Sequence, residues 1–232
     1  MSIINGQGRV GIRSGAAPSI PSIITSGLVL NLDAGNVASY PGTGTTWTDL
    51  SGNGNNATLY NGAVYNSANG GTMVFDGIND YASESNFIGA LTTFTSGTWI
   101  KLNANQTTKA FISTYYNGWA VGISDYDQNK IKFYLGGATI YSTYALSINT
   151  WYYVCATYNN GNPTIYINGA LNKTSTDLVS YGPINSTITI GALNGGNQFF
   201  NGNLSMQHIY NRALTASEIT TNFNTTKTRF GL

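Results

Sequence analysis

The acidic residues are few enough to take one by one. There are nine: Asp33, Asp49, Asp76, Asp80, Glu84, Asp125, Asp127, Asp177 and Glu218. Hydrolysis of a glycosidic bond needs two carboxylates a set distance apart, one acid and one nucleophile or base. Glu84 lies in Ser83-Glu84-Ser85 with no second acid at strand spacing. Asp125 and Asp127 flank Tyr126 and would share one face of a strand. The run Ser124 to Asn129 is polar, however, and reads as a turn. Glu218 follows Thr215 by three residues, the spacing of a helix capping box, and is assigned to that role. His208 is the single histidine and Cys155 the single cysteine. One of each makes no zinc site, and no nucleophile elbow accompanies the histidine. Both sit in apolar strand-like runs and read as structural residues. No catalytic residues are assigned, and the chain is expected not to be an enzyme.

Two constellations could bind rather than react. Asp76, Asn79 and Asp80 fall within five residues, and calcium takes several oxygen ligands from such turns. Asp33 or Asp49 could join them from an earlier loop. The same side chains also suit hydrogen bonds to the turn backbone, and spacing does not separate the two readings. Structural Ca2+ is therefore the one cofactor expected, and it is not certain. Tyr115, Tyr116, Asn117 and Trp119 cluster at a strand end, with Tyr126, Tyr141 and Tyr144 close in sequence. Aromatic faces stack on sugars and amides bond their hydroxyls. Tyrosine is enriched at subunit contacts as well, and Trp119 also reads as a core residue, so glycan and protein partners both stay open.

The elements that must position these residues are strands. Leu28, Leu30 and Leu32 alternate with Val29, Asn31 and Asp33, which predicts a strand with one buried face. Similar runs are Met73–Phe75, Thr98–Leu102, Ala110–Ser113, Trp119–Ile123, Lys130–Leu135, Ala138–Tyr141, Trp151–Tyr158, Thr164–Ile167, Thr187–Ile190 and Leu204–Tyr210. Asn168-Gly169 is a strong hairpin signal, because both turn positions need φ > 0. The capping box predicts one helix over about 216–223. Many short strands with turns between them mean a sandwich or a barrel.

Charge is scarce: 8% of residues are charged and the net charge is +1, against an average near ~25% charged. With no basic stripe, nucleic acid is not an expected partner. No apolar run is long enough for a membrane helix, so no membrane insertion is expected. The opening residues lack the charged start and apolar core of a secretory signal. Residues 1–26 carry Gly6, Gly8, Gly11, Gly15, Pro18 and Pro21 with no helical period. They read as an extended N-terminal arm before a body over 27–232. Ile3, Ile4, Val10 and Ile12, with Arg9 and Arg13, make that arm apolar enough to dock on a partner.

Several segments, in order, resemble one family. They are Phe75-Asp76-Gly77-Ile78-Asn79-Asp80-Tyr81, Thr98-Trp99-Ile100-Lys101, Trp151 to Tyr158, Ile165-Tyr166-Ile167-Asn168-Gly169, and Phe200 to Ile219. Together they are similar to laminin-G-like, concanavalin A-like jelly rolls. The resemblance implies an all-β, two-sheet antiparallel jelly-roll sandwich with one short C-terminal helix. Ser205-Met206 departs from it, standing where relatives often carry an Asp-Glu pair. The opening Gly27 to Asn36, with Ser39-Tyr40-Pro41 and Trp47 to Asn53, resembles such modules in tailed-bacteriophage proteins. That likeness implies a non-enzymatic virion structural or display protein, made in the host cytoplasm. Its expected partners are other virion proteins or copies of itself, joined through the arm. The alternative is a lectin-like adhesin for host surface glycans.

Overall fold

The computed structural model describes residues 22–85, 87, 91–114, 118–179, 187–193 and 197–232. The arm residues Ile3, Ile4, Arg9, Val10, Ile12 and Arg13 and the candidates Tyr115, Tyr116 and Asn117 lie outside them.

Among the described residues the chain forms sixteen strands and one α-helix. The strands are β1 (Leu28–Asp33), β2 (Thr46–Trp47), β3 (Ala57–Tyr60), β4 (Val64–Asn66), β5 (Thr72–Asp76), β6 (Tyr81–Glu84), β7 (Thr93–Leu102) and β8 (Lys109–Thr114). They continue with β9 (Trp119–Ile123), β10 (Lys130–Leu135), β11 (Ala138–Ala145), β12 (Trp151–Asn159), β13 (Asn162–Ile167), β14 (Ala170–Thr174), β15 (Ile188–Ile190) and β16 (Asn201–Tyr210). The helix α1 (Ala216–Thr226) runs into a 3-10 turn, Lys227–Phe230.

Two antiparallel sheets result. The first has the order β14-β13-β12-β7-β16-β5-β4, with β1 also paired to β16. The second has the order β11-β10-β9-β8-β15-β6-β3-β2. Their inner faces meet in one core: Leu30, Phe75, Ile100, Val154 and Ile165 from the first, Phe111, Trp119, Val121, Ile131 and Phe133 from the second. Strand β10 shows why the sequence folds this way. Ile131, Phe133 and Leu135 point in and are buried, while Lys130, Lys132 and Tyr134 take the other face.

The outer face of the first sheet is also covered. Trp99, Tyr153, Cys155, Met206 and Tyr210 pack there under Leu214, Ile219 and Phe230. The capping box forms as expected: Glu218 N–H donates to Thr215 Oγ1, and Thr215 N–H donates to Glu218 Oε2. The helix runs to Thr226, past the expected 223. Hydroxyls that would compete for the backbone instead fold back on it, Thr220 to the Ala216 carbonyl and Thr226 to the Asn222 carbonyl. Asn168 and Gly169 have φ of 52° and 77°, as their hairpin requires.

The last residues assigned to the arm are already held by the body. Ile24 N–H donates to Asn222 Oδ1 at 2.8 Å. Tyr210 Oη donates to the Ile24 carbonyl, and Arg212 Nε to the Ser26 carbonyl. The chain thus enters on the helix-covered side, opposite the outer face of the second sheet.

Candidate functional site

That outer face carries a cavity of about 430 Å³ over β8, β9 and β10. Its floor is made of small residues, Ala110, Gly118, Ala120 and Gly122. Gly122 is required there. A Cβ on it would collide with the Lys109 carbonyl oxygen and stand 2.9 Å from Ala110 Cα. The cause is a register shift in β8 between Ala110 and Ile112, which carries that backbone toward β9.

The polar wall is an ion pair. Lys132 reaches from β10 to Asp125, in the turn after β9, with Nζ to Oδ1 at 2.7 Å. The lysine side chain is 10% exposed and the aspartate 35%, so the pair is sheltered but reachable. A second pair, Lys130 with Asp127 at 3.1 Å, sits further into solvent. Ser124 Oγ accepts from the N–H groups of Tyr126 and Asp127 and fixes the turn. At its tip Tyr126 is 84% exposed. Its ring meets Tyr141 edge-on, with centroids 6.5 Å apart. Tyr141 lies opposite Lys132 in the β10–β11 register. Burial raises the Tyr141 phenol above its ordinary range, and the charges of Asp125 and Asp127 raise it further. Tyr134, Leu193 and Gln198 complete the rim.

The expected residues fall differently from this arrangement. Trp119 is not a stacking platform: it is 2% exposed, and its ring stacks on Phe94 at 4.7 Å inside the core. Tyr141 stands beside the cavity, opposite the lining residue Lys132 and against Tyr126. Tyr144 sits further along β11, beside Tyr152 of the other sheet. Asp125 was legible only as a turn residue, because Lys132, its partner, looked like one member of a solvated alternating strand.

In the Asp76–Asp80 turn, the backbone takes the carboxylates. Asp76 Oδ1 accepts from Ile78 N–H at 2.7 Å and from Asn79 N–H, and Asp80 Oδ2 accepts from Asp76 N–H. Burial raises the Asp80 carboxyl, opposed by that N–H, while the Asp76 charge raises it again. Neither earlier aspartate joins. Asp33 is held by Arg229, and Asp49 accepts from the N–H groups of Asn31 and Ser51. Among the described residues no three of His, Cys, Asp and Glu converge on a point. The bonds made by Asp76 Oδ1 and Asp80 Oδ2 are those of a hydrogen-bonded turn.

Of the other candidates, Glu218 is paired, and Cys155 and His208 are buried. Arg212 binds Glu218 through both nitrogens, at 2.9 and 2.7 Å. With the Thr215 N–H, it pulls the Glu218 carboxyl down to about 2. Cys155 is buried, which pushes its thiol well above the ordinary range. His208, buried on β16, is lowered to about 4 by desolvation. Ser205, at the position where the family pattern is broken, donates to the Gly71 carbonyl and accepts from Arg229.

The match to known proteins follows the same lines. Residues 75–220, more than half the chain, match the model of the concanavalin A-like lectin/glucanases superfamily. The chain belongs to that superfamily. A comparison with curated protein sequences finds no match. Among solved structures, it is similar to domain 4 of an extracellular arabinanase from Geobacillus stearothermophilus, determined in complex with arabinotriose. That likeness has a TM-score of 0.66 and 17% identity, over 83% of this chain and 96% of that one. It is similar to the receptor binding domain of botulinum neurotoxin type G, with a TM-score of 0.62 and 21% identity, over 86% of this chain and 51% of that one. It is also similar to the Trypanosoma rangeli sialidase, with a TM-score of 0.67 and 18% identity, over 87% of this chain and only 33% of the enzyme.

Proposed function

We propose that this chain is a glycan-binding module that holds sugars without cleaving them. The observation that carries the reading is the cavity on β8–β10, flanked by the sheltered Asp125–Lys132 pair and by the exposed Tyr126 against Tyr141. A sugar needs an apolar ring surface beside clustered donors and acceptors, and this rim offers both. Asp125, Asp127 and Glu218 are each held by a cation, which disfavours a hydrolytic pair. The fold neighbours support binding too, since one was determined with arabinotriose and another is a receptor binding domain. The test is a glycan array read with the wild type and with Tyr126→Ala. Tyr126 is 84% exposed, so the variant should keep its melting temperature and lose retention. Retention equal to wild type would sink the reading.

The setting we propose is display, with residues 1–21 joining the module to a virion neighbour or to another copy. Its support is the phage-like opening motifs and the clamp on Ile24, which starts the leader on the face away from the cavity. Deleting residues 1–21 should abolish assembly and leave the melting temperature unchanged; unchanged assembly would remove the proposal.

A further inference from the structure

This inference rests on the glycan-binding reading and narrows its ligand. We propose that the cavity selects uncharged sugars, reading a pair of adjacent hydroxyls through Asp125 and Lys132 together. The carboxylate and the ammonium stand 2.7 Å apart, a spacing at which adjacent hydroxyls can engage both. One hydroxyl donates to Asp125 while its neighbour accepts from Lys132. Each ion keeps spare capacity, since an ammonium has three donors and a carboxylate several lone pairs.

Charge decides against the other classes. The charged side chains lining the cavity, among the described residues, are Lys109, Asp125 and Lys132. Lys132 is held by its partner, so among the lining charges Lys109 alone is unmatched, one cation set against the carboxylates of Asp125 and Asp127 on this side of the cavity. An anionic sugar at this rim would also face Asp125 and Asp127 together, whose charges already oppose ionisation of Tyr141. A cationic amino sugar would meet the unmatched charge of Lys109. An uncharged sugar keeps the ion pair intact and adds hydrogen bonds to both of its members. Bonds to charged groups are the strong ones. The small floor of Ala110, Ala120 and Gly122 lets the ring sit low enough to reach them.

The experiment uses the whole chain and calorimetric titration with two panels, neutral oligosaccharides and their uronate, sialylated or sulfated counterparts. Each is run at roughly 0.05 M and roughly 0.5 M salt, which moves the screening length several-fold. The expected result is binding of a neutral sugar with affinity unchanged by salt. Asp125→Asn keeps the shape and should weaken that binding roughly ten- to a hundredfold, the usual loss for a hydrogen bond to a charge. Lys132→Met should do the same, and melting curves confirm that both variants fold. Preferential binding of acidic sugars that tightens at low salt would overturn the neutral-ligand inference and leave glycan binding standing. So would an Asp125→Asn variant that gains affinity. Absence of binding to either panel would remove the glycan reading and this inference with it.

Discussion

Replacing Arg229 by Ala tests the account of how the chain closes on itself. The guanidinium donates from Nε to the Asn69 carbonyl at 2.7 Å and from Nη1 to Asp33 Oδ1 at 2.6 Å. From Nη2 it donates to the Gly71 carbonyl and to Ser205 Oγ, both at 2.7 Å. One side chain in the last turn thus joins β1, β16 and the turn before β5. Both ions of the Arg229–Asp33 pair are 19% exposed. Breaking a buried pair from one side costs 3–5 kcal/mol, and the residual water here argues for the lower end, about 3 kcal/mol. For a domain of this size that is a fall of roughly 6–12 °C in melting temperature. Differential scanning calorimetry at neutral pH reads it directly. Arg229→Lys should fall between wild type and Ala, since one ammonium can meet Asp33 but cannot span four acceptors. Gly35→Ala supplies an independent check. Its Cβ would land both on the guanidinium and on the Gly70 carbonyl oxygen, so it should displace Arg229 and still cost further stability in the double variant with Arg229→Ala. A melting temperature for Arg229→Ala within about 2 °C of wild type would refute the reasoning, because the bonds would then be worth no more than a surface contact.

Three further outcomes follow from the same coordinates. Burial holds His208 near 4 against 6.5 in an open chain, so the unfolded state takes up the proton first. Stability should be full above pH 6.5 and fall by about 3 kcal/mol as the pH drops toward 4. Urea midpoints measured between pH 7 and pH 5, before Glu218 begins to contribute, should show the slope in wild type and not in His208→Leu; a flat wild-type profile would refute it. Trp119→Ala empties a core site stacked on Phe94 and should cost about 3–5 kcal/mol in urea unfolding. A near-neutral effect would mean that the indole is solvent-facing after all. Thr215→Ala removes the helix cap and should cost about 1 kcal/mol, read as a shift in the same midpoint.

What could be read from the residues was whatever local pattern determines. The alternation in Lys130–Leu135, the Asn168-Gly169 turn and the Thr215–Glu218 box each depend on neighbours in sequence, and each forms as expected. Strand β7 begins at Thr93, earlier than its pattern predicts, because both of its faces are covered and small polar residues such as Thr95 and Ser96 are buried. Strand β14 is mostly exposed and carries no apolar alternation to find it by. The Asp125–Lys132 contact was out of reach for a different reason. Nothing in either local run marks a pair that forms only when β9 and β10 are in register. Trp119 was ambiguous for want of its partner Phe94, which belongs to the other sheet. The calcium expectation rested on Asp76, Asn79 and Asp80, and the two aspartates that could have joined them, Asp33 and Asp49, are taken by Arg229 and by backbone N–H groups.

The Asn222 amide also imposes an order in time. Ile24 and Asn222 are 198 positions apart, so their contact closes a loop containing almost the entire body. A ribosome delivers Ile24 long before Asn222, and for that interval the leader has no seat. Closing so long a loop yields nothing until the strands between have paired. The bond between Ile24 and Asn222 therefore forms only once the helix is made. A chain halted before the helix would lack the Asn222 amide that holds Ile24.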